Sequence, residues 1–190
     1  MRSLADRKRQ LVRDELSEAA LKLLAHQGFE ETTIEQIAAV AGVSKRTFFR
    51  YFPSKEDVII DLIGRLGEQA RDVLAASPAG ERPAVSLRRA LGVFVEALGE
   101  YPEKSLRLTR LTLGTAALRA RYLDQQRQAQ HDIAGVLAAR GLAEPLAGVT
   151  SAVAFAAYET ALEQWARLEG VEPLGNLVDR AFALVTESLA

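Results

Sequence analysis

Apolar residues recur at the spacing of an α-helix along nearly all of the 190-residue chain, and the alternating pattern of β-strands is missing. A short segment from Thr33 to about Ala41 turns one face inward, formed by Ile34, Ile37, Ala38 and Ala41. The segment before it ends near Gly28, and its apolar face is formed by Val12, Leu16, Ala19, Ala20 and Leu23. The pattern predicts an all-α protein.

Prolines mark most of the remaining helices, because the first turn of a helix tolerates a residue without an N–H group. Pro78 is expected in a loop. The other five prolines, near the starts of apolar periodic segments, are Pro53, Pro83, Pro102, Pro145 and Pro173. The pattern predicts helices near residues 54–76, 83–99, 102–113, 115–140, 145–169 and 173–189.

The stretch AGVSKRTFFRYFPSKE, residues 41–56, predicts a tight turn between two short helices. Thr33 with Gln36, or Thr32 with Glu35, has the spacing of a capping box at the start of the first helix. Gly42 and Val43 fit the residues that follow a helix end, and Ser44 fits the N-cap of a second helix that reaches about Phe52. Two short helices joined in this way form a helix-turn-helix, whose second helix enters the major groove of DNA.

The second of these helices has two different sides. At 100° per residue Phe48 and Phe52 share one side, while Arg46 and Arg50 share another. Arginine can hold a guanine edge or a phosphate, and Lys45 can hold a phosphate. An ordinary solvated amphipathic helix with surface arginines is the alternative.

Charge is distributed unevenly although the net charge is −1. Residues 1–55 contain ten Lys and Arg and seven Asp and Glu, a net charge of +3, and the remainder has 14 and 18, a net charge of −4. A basic first part suggests that only this part meets a polyanion. Chance asymmetry on a solvated surface gives the same counts.

Composition favours a cytoplasmic protein. The sequence has no cysteine, which excludes disulfides and thiolate metal sites and fits a reducing compartment. The first 18 residues lack the apolar core of a signal peptide, and no apolar run approaches the roughly 18 residues of a membrane span. We expect no membrane association.

The inventory of reactive residues argues against an enzyme. His26 and His131 are the only histidines, and neither has metal-ligand spacing. Gly64 and Gly67 do not follow a strand, so no phosphate-binding loop is indicated. We expect no catalytic residue, no metal and no cofactor.

The stretch TTIEQIAAVAGVSKRTFFRYFPSKEDVI, residues 32–59, resembles the DNA-binding signature of the TetR family of transcriptional regulators. The resemblance implies a homodimer with a three-helix DNA-binding domain at residues 1–53 and a helical bundle for ligand binding and dimerisation at residues 54–190. By position it also implies contacts with phosphates or base edges from Thr33, Ser44, Lys45, Thr47, Tyr51 and Lys55. Two positions differ from the common pattern. Arg46 replaces a frequent glycine and adds a possible base reader, and Phe49 replaces a frequent tyrosine whose hydroxyl often reaches a phosphate.

The second part of the chain is similar to regulators of the mycofactocin type, whose ligands are acyl-CoA-like. The similarity rests on Leu118, Arg119, Tyr122, Leu123 and Trp165. Candidate cations for the phosphates of such a ligand are Arg107, Arg110, Arg119 and Arg121. Candidate lining residues for its acyl chain are Phe94, Leu98, Leu108, Leu111, Phe155, Tyr158 and Trp165.

Alternatives stay open for each of these residues. An ordinary bundle core is the default interpretation of the aromatic residues, and a solvated face is that of the arginines. Glu159 and Glu163 could orient a polar ligand or form salt bridges of a dimer. Apolar and small residues on the last two predicted helices suggest a dimer face formed by Ala154, Ala157, Ala161, Leu177, Ala181, Leu184 and Val185.

Together these observations predict a ligand-responsive transcriptional repressor that binds a pseudo-palindromic operator as a homodimer. The alternative is an architectural DNA-binding protein without a small-molecule effector.

Overall fold

The computed structural model describes residues 4–188, and these residues form nine α-helices and no strand. The helices are α1 (Leu4–Gln27), α2 (Ile34–Val40), α3 (Lys45–Tyr51), α4 (Lys55–Ala75), α5 (Pro83–Gly99), α6 (Pro102–Gly114), α7 (Ala116–Ala139), α8 (Glu144–Arg167) and α9 (Leu174–Ser188). The predicted all-α class is confirmed. The last residue of the predicted helix 173–189 lies outside the described residues.

Proline placement confirms most of the predicted helix starts. Pro83 and Pro102 are the first residues of α5 and α6, and Pro145 is the second residue of α8. Pro173 directly precedes α9, and Pro78 lies in the loop between α4 and α5. The missing N–H of proline leaves no hydrogen bond unmade at these positions.

The chain divides into two compact units, residues up to Ile63 and residues from Gly64 onward. This division falls inside α4, which therefore contributes to both units. The domain boundary expected after residue 53 stays a prediction.

The first unit has a small apolar core to which four helices contribute. Its buried members are Leu16, Ala19, Ala20, Ile37, Ala38, Phe48, Phe52 and Val58. The predicted inward faces of α1, α2 and α3 are confirmed, since all of these residues except Val58 come from those faces. A core of this size holds the short helices α2 and α3, which would be marginal in isolation.

In the second unit α8 packs against α5, α6, α7 and α9. The small residues of α8 let its neighbours approach closely, and Ala154, Ala157 and Ala161 are buried inside the chain together with Leu177 of α9. The expectation that these four residues form a dimer face is wrong, because packing within one chain already covers them. Leu184 is exposed, and Ala181 and Val185 are half-buried.

Two glycines of α4 lie close to α7. A Cβ atom on Gly67 would lie 3.0 Å from the Cβ of Ala129, and one on Gly64 would lie 3.0 Å from Oε1 of Gln125. Both distances are shorter than ordinary van der Waals contact between such atoms, so the glycines permit the close approach of the two helices. Helix packing accounts for this pair of glycines.

Candidate functional sites

The start of α2 is fixed by a capping box. The Thr33 hydroxyl oxygen accepts a hydrogen bond from the backbone N–H of Gln36 at 3.2 Å, and the Gln36 side-chain oxygen accepts one from the Thr33 N–H at 2.8 Å. Of the two predicted pairs, this one is therefore confirmed. Thr32 is instead buried and donates its hydroxyl to the Gly28 carbonyl at 2.6 Å. The predicted contact residue Thr33 thus lies exposed at the N-terminus of α2.

The turn after α2 has the hydrogen bonds of a Schellman motif. The N–H of Val43 donates to the Ala38 carbonyl at 2.9 Å, and the N–H of Gly42 donates to the Ala39 carbonyl at 3.1 Å. Gly42 has φ of +66°, a left-handed conformation in which a Cβ would add strain. This glycine makes the turn tight enough for α3 to begin three residues later.

Ser44 caps α3, as the sequence predicts. Its hydroxyl oxygen accepts a hydrogen bond from the Thr47 N–H at 3.1 Å, and the two hydroxyl oxygens lie 3.0 Å apart. Ser44 is exposed and Thr47 half-buried, so both predicted contact residues lie at the first turn of α3. Free N–H groups at a helix start favour an anionic partner such as phosphate.

The two predicted sides of α3 are present. Phe48 and Phe52 are 0% and 1% exposed, with ring centroids 5.8 Å apart, while Arg46 and Arg50 are exposed. The Arg50 guanidinium lies 5.1 Å from the centroid of the half-buried Tyr51 ring. The buried phenylalanines therefore orient α3 so that its arginines point away from the core.

Lys45 forms an ion pair that joins α3 to α2. Its ammonium group donates to the Glu35 carboxylate, and this hydrogen bond lowers the pKa of the Glu35 carboxyl below its usual value. Both side chains are more than half exposed. A pair of this kind adds little stability in water, but it gives the Lys45 side chain a preferred position.

Lys55, the first residue of α4, contacts the loop between α1 and α2. Its Nζ atom donates to the Phe29 carbonyl at 2.7 Å and lies 3.9 Å from the centroid of the Phe29 ring. The resemblance implies that Lys55 contacts a phosphate or a base edge of DNA. An ammonium group has three N–H donors, so this hydrogen bond leaves two for such a contact, which stays a prediction.

Sequence reasoning missed a polar network that ties α1 to α4. Both Nε and Nη2 of Arg13 contact Oδ1 of Asp61, at 2.8 and 2.6 Å, and the Ser17 hydroxyl donates to Oδ2 of Asp61 at 2.7 Å. The Arg13 guanidinium also lies 5.0 Å from the centroid of the Phe52 ring. The one sequence signal was an arginine and a serine one helical turn apart beside the apolar face of α1.

The candidate ligand residues of the second unit fall into two groups. Phe94, Phe155, Tyr158 and Trp165 are buried, and the Phe94 and Tyr158 ring centroids lie 5.4 Å apart. The second group is more accessible: Leu98, Leu108 and Leu111 are half-buried, and Arg107 is exposed. The structure thus brings Phe94 of α5 and Tyr158 of α8 into contact.

Two buried tyrosines lie in this unit. Burial raises the pKa of both the Tyr158 and the Tyr122 phenol, and Gln126 donates a hydrogen bond to the Tyr122 oxygen. Both side chains are neutral at physiological pH, as an ordinary tyrosine is, and burial keeps them so at higher pH as well.

Exposed ion pairs engage two of the candidate arginines. Arg119 contacts Glu163 at 3.3 Å, and Arg110 contacts Glu169 at 3.1 Å. Glu163 therefore has a partner within its own chain. Both pairs are solvated, so a phosphate could displace either carboxylate at small cost.

Residues 4–188 contain no group of three or more His, Asp or Glu side chains that could hold a metal ion. Over the same part of the chain, no helix is both long enough and apolar enough to cross a membrane.

Comparisons with known proteins cover both units. Residues 16–62 match the family described as bacterial regulatory proteins of the tetR family, and residues 81–190 match the MftR C-terminal domain. The chain is 37% identical to the HTH-type transcriptional regulator TcmR of Streptomyces glaucescens over 146 residues. This aligned region covers 72% of the chain and 63% of TcmR. It is 34% identical over 87 residues to the regulator EthR of Mycolicibacterium smegmatis, covering 44% of the chain and 39% of EthR. The matched part thus spans less than two thirds of either relative.

Solved structures with the same fold cover nearly the whole chain. FadR of Thermus thermophilus, a TetR-family transcriptional repressor in complex with lauroyl-CoA, superimposes with a TM-score of 0.65 at 23% identity, over 94% of this chain and 95% of that one. FadR of Bacillus subtilis, in complex with stearoyl-CoA, gives a TM-score of 0.55 at 19% identity, over 90% and 95% of the two chains. At these identities the likeness concerns the fold.

Proposed function

This chain belongs to the TetR family of bacterial regulatory proteins, and we propose that it is a cytoplasmic, ligand-responsive transcriptional repressor that binds a pseudo-palindromic DNA operator as a homodimer. The observation that carries the proposal is α3. This seven-residue helix is capped by Ser44, anchored in the core through Phe48, and directs Arg46 and Arg50 to solvent.

The dimensions and charge of α3 suit the major groove of DNA. Seven residues span about 10 Å, and the groove of B-DNA is about 12 Å wide. Arg46 and Arg50 project from the exposed side, where a guanidinium can donate two hydrogen bonds to a guanine edge or hold a phosphate. Backbone N–H groups at the first turn, beside Ser44 and Thr47, add donors for a phosphate.

A homodimer would present two copies of α3 to one DNA molecule. Recognition helices related by a two-fold axis fit half-sites about 34 Å apart, one helical turn of DNA. The apolar residues that one chain leaves uncovered on α8 and α9 support such an interface, because Val149 is 61% and Leu184 63% exposed. Exposed apolar residues on neighbouring helices are what a two-fold helical interface buries.

The operator is found by sequencing the genomic fragments that the purified protein retains, and Arg46→Ala then tests the assignment of α3. This variant is expected to lose about 1–3 kcal/mol of operator affinity and to relax the preference at one position in each half-site, because one arginine no longer reads its base. Arg127→Ala is the control, since it removes the same charge from an exposed position of α7 in the second unit.

Retained fragments should contain two inverted half-sites, and light scattering should give a mass about twice the 20.7 kDa of the chain. Wild-type affinity and unchanged base preference in Arg46→Ala would show that α3 does not read DNA as proposed.

The proposed effector is an acyl-CoA-like molecule that binds in the second unit. The match to the MftR C-terminal domain and the fold shared with two acyl-CoA complexes support this choice. The Phe94 and Tyr158 ring pair, and the buried Phe155 on the same helix as Tyr158, supply apolar surface of the kind that an acyl chain requires. Arg107, Arg110 and Arg119 offer cations for the phosphates.

α4 is the element through which such a ligand would act. It is one continuous helix that starts in the first unit and ends in the second. A ligand changes operator affinity only by as much as its own affinity differs between the two conformations of the protein. Release of the operator therefore requires that the ligand-bound conformation hold the two α3 helices at a spacing that no longer matches the half-sites.

Trp165 allows a direct test of the effector, because it is the only tryptophan of the sequence and is buried in α8. Acyl-CoA thioesters of increasing chain length are expected to change Trp165 emission and to weaken operator binding, with free coenzyme A as the control. Trp165→Phe is expected to alter the effect of the thioesters on operator binding, while leaving operator affinity without ligand nearly unchanged. If no thioester produces heat in calorimetry or a thermal shift, the effector belongs to another chemical class.

A further inference from the structure

We propose that Phe49 reads the methyl group of a thymine in each half-site of the operator. This inference rests on the proposed role of α3 in DNA binding and adds a base preference to it. From the sequence, Phe49 differs from the frequent tyrosine only by lacking a hydroxyl. The proposed contact gives its ring a role in base recognition.

Phe49 is an exposed aromatic residue among cations. Its side chain is 46% exposed, although the phenylalanine before it in α3 is fully buried. Lys45, Arg46 and Arg50 are exposed on the same short helix. These cations draw the helix toward phosphates, so the ring that lies among them is carried to the DNA surface.

Two neighbours contact the Phe49 ring in the absence of DNA. The ring packs edge to face against the buried Phe48 ring, with centroids 5.7 Å apart and planes at 89°. On another side the Lys45 ammonium lies 5.9 Å from the ring centroid, and Glu35 holds that ammonium by an ion pair. Contacts that restrict a ring before binding reduce the conformational entropy that it loses on binding, which favours it as a recognition group.

The chemistry of the ring selects its partner on DNA. A phenyl group cannot donate a hydrogen bond, so it gains nothing from a phosphate oxygen or from the polar edge of guanine or adenine. Among the four bases only thymine presents a methyl group in the major groove, and phenylalanine is one of the side chains that contact it. An exposed phenylalanine on a groove-reading helix therefore favours thymine.

The place of this thymine follows from the geometry of the helix. Phe49 comes three residues after Arg46, which corresponds to about 60° around the axis and about 4.5 Å along it. Base pairs follow one another about every 3.4 Å along DNA. We therefore expect the thymine within two base pairs of the position that Arg46→Ala relaxes.

The test replaces each thymine of the selected operator, one at a time, by deoxyuridine, which pairs identically but lacks the methyl group. A buried methyl corresponds to a factor of about four in affinity. The wild-type protein is expected to lose about fourfold at one thymine of each half-site, and about fifteenfold when both are replaced.

Phe49→Ala is expected to bind the thymine operator about as weakly as the wild-type protein binds the uracil operator, and to be insensitive to the replacement. Leu21→Ala is the matched control, because Leu21 is an exposed apolar residue on α1 of the same unit, and this variant should keep the wild-type sensitivity. Circular dichroism verifies that each variant is folded, which the exposure of both side chains leads us to expect.

Two results would overturn the inference. One is a wild-type protein that tolerates uracil at every thymine, and the other is a Phe49→Ala variant that retains full sensitivity to the replacement. In either case an Arg46→Ala variant with relaxed base preference would leave the proposed function intact. A wild-type protein that retains no specific DNA would instead remove the proposed function and this inference with it.

Discussion

Phe48→Ala is expected to lower the free energy of unfolding of the first unit by about 3–5 kcal/mol, the range measured for large-to-small changes at buried aromatic positions. The Phe48 side chain is 0% exposed and packs against Phe52 and Phe49. Its removal leaves a cavity in a core that has few large side chains. Operator affinity should fall together with stability, because α3 loses the side chain that fixes its orientation.

Hydrogen exchange of the backbone amides in residues 4–63 is the appropriate measurement, since the only tryptophan lies in the second unit. Phe49→Ala is the matched control, because it truncates the same residue type one position further along, where 46% of the side chain is exposed. The control should weaken DNA binding with little change in exchange. Unchanged protection of the first unit in Phe48→Ala would contradict the assigned core.

Asp61→Ala should destabilise the first unit by about 2–4 kcal/mol, because it removes the acceptor of a charged group and of a buried hydroxyl. The Asp61 side chain is 11% exposed and Ser17 is 1% exposed. Arg13 retains partial contact with water, at 43% exposure, so its cost stays below that of a fully buried cation without a partner.

Denaturant unfolding, monitored by hydrogen exchange, distinguishes this network from an ordinary surface ion pair. Asp72 lies on the same helix as Asp61 and makes an exposed contact with Arg71. The Asp72→Ala variant removes this contact, so it should change the free energy of unfolding very little. A double-mutant cycle with Ser17→Ala isolates the part that belongs to the hydroxyl. Equal stability of Asp61→Ala and Asp72→Ala would show that the network between α1 and α4 does not stabilise the unit.

Features decided by residues close in sequence could be predicted without the structure. The Thr33–Gln36 capping box, the turn at Gly42 and the cap at Ser44 each depend on groups no more than five residues apart. The opposite sides of α3 follow from the 100° step between residues, which placed Phe48 and Arg46 correctly. Both the helix-turn-helix and its arginine face were therefore available from local pattern alone.

Contacts between residues far apart in sequence were decided only by the tertiary structure. Lys55 donates to a carbonyl 26 residues earlier in the chain, and Asp61 binds side chains 44 and 48 residues earlier. Helical periodicity shows which face of each helix is polar and which is apolar. It does not show which other helix packs against a given face, or at which residues along the helix the two meet.

The same limit explains the error on α8. The spacing of Ala154, Ala157 and Ala161 correctly predicts a face that another helix approaches closely, and the structure buries that face within one chain. A small apolar side chain is buried equally well by a neighbour of its own chain or by a second subunit, since apolar burial has no direction of its own. Sequence therefore determined which side of α8 is packed, and the tertiary structure determined what packs against it, because that choice depends on how all the helices fit together.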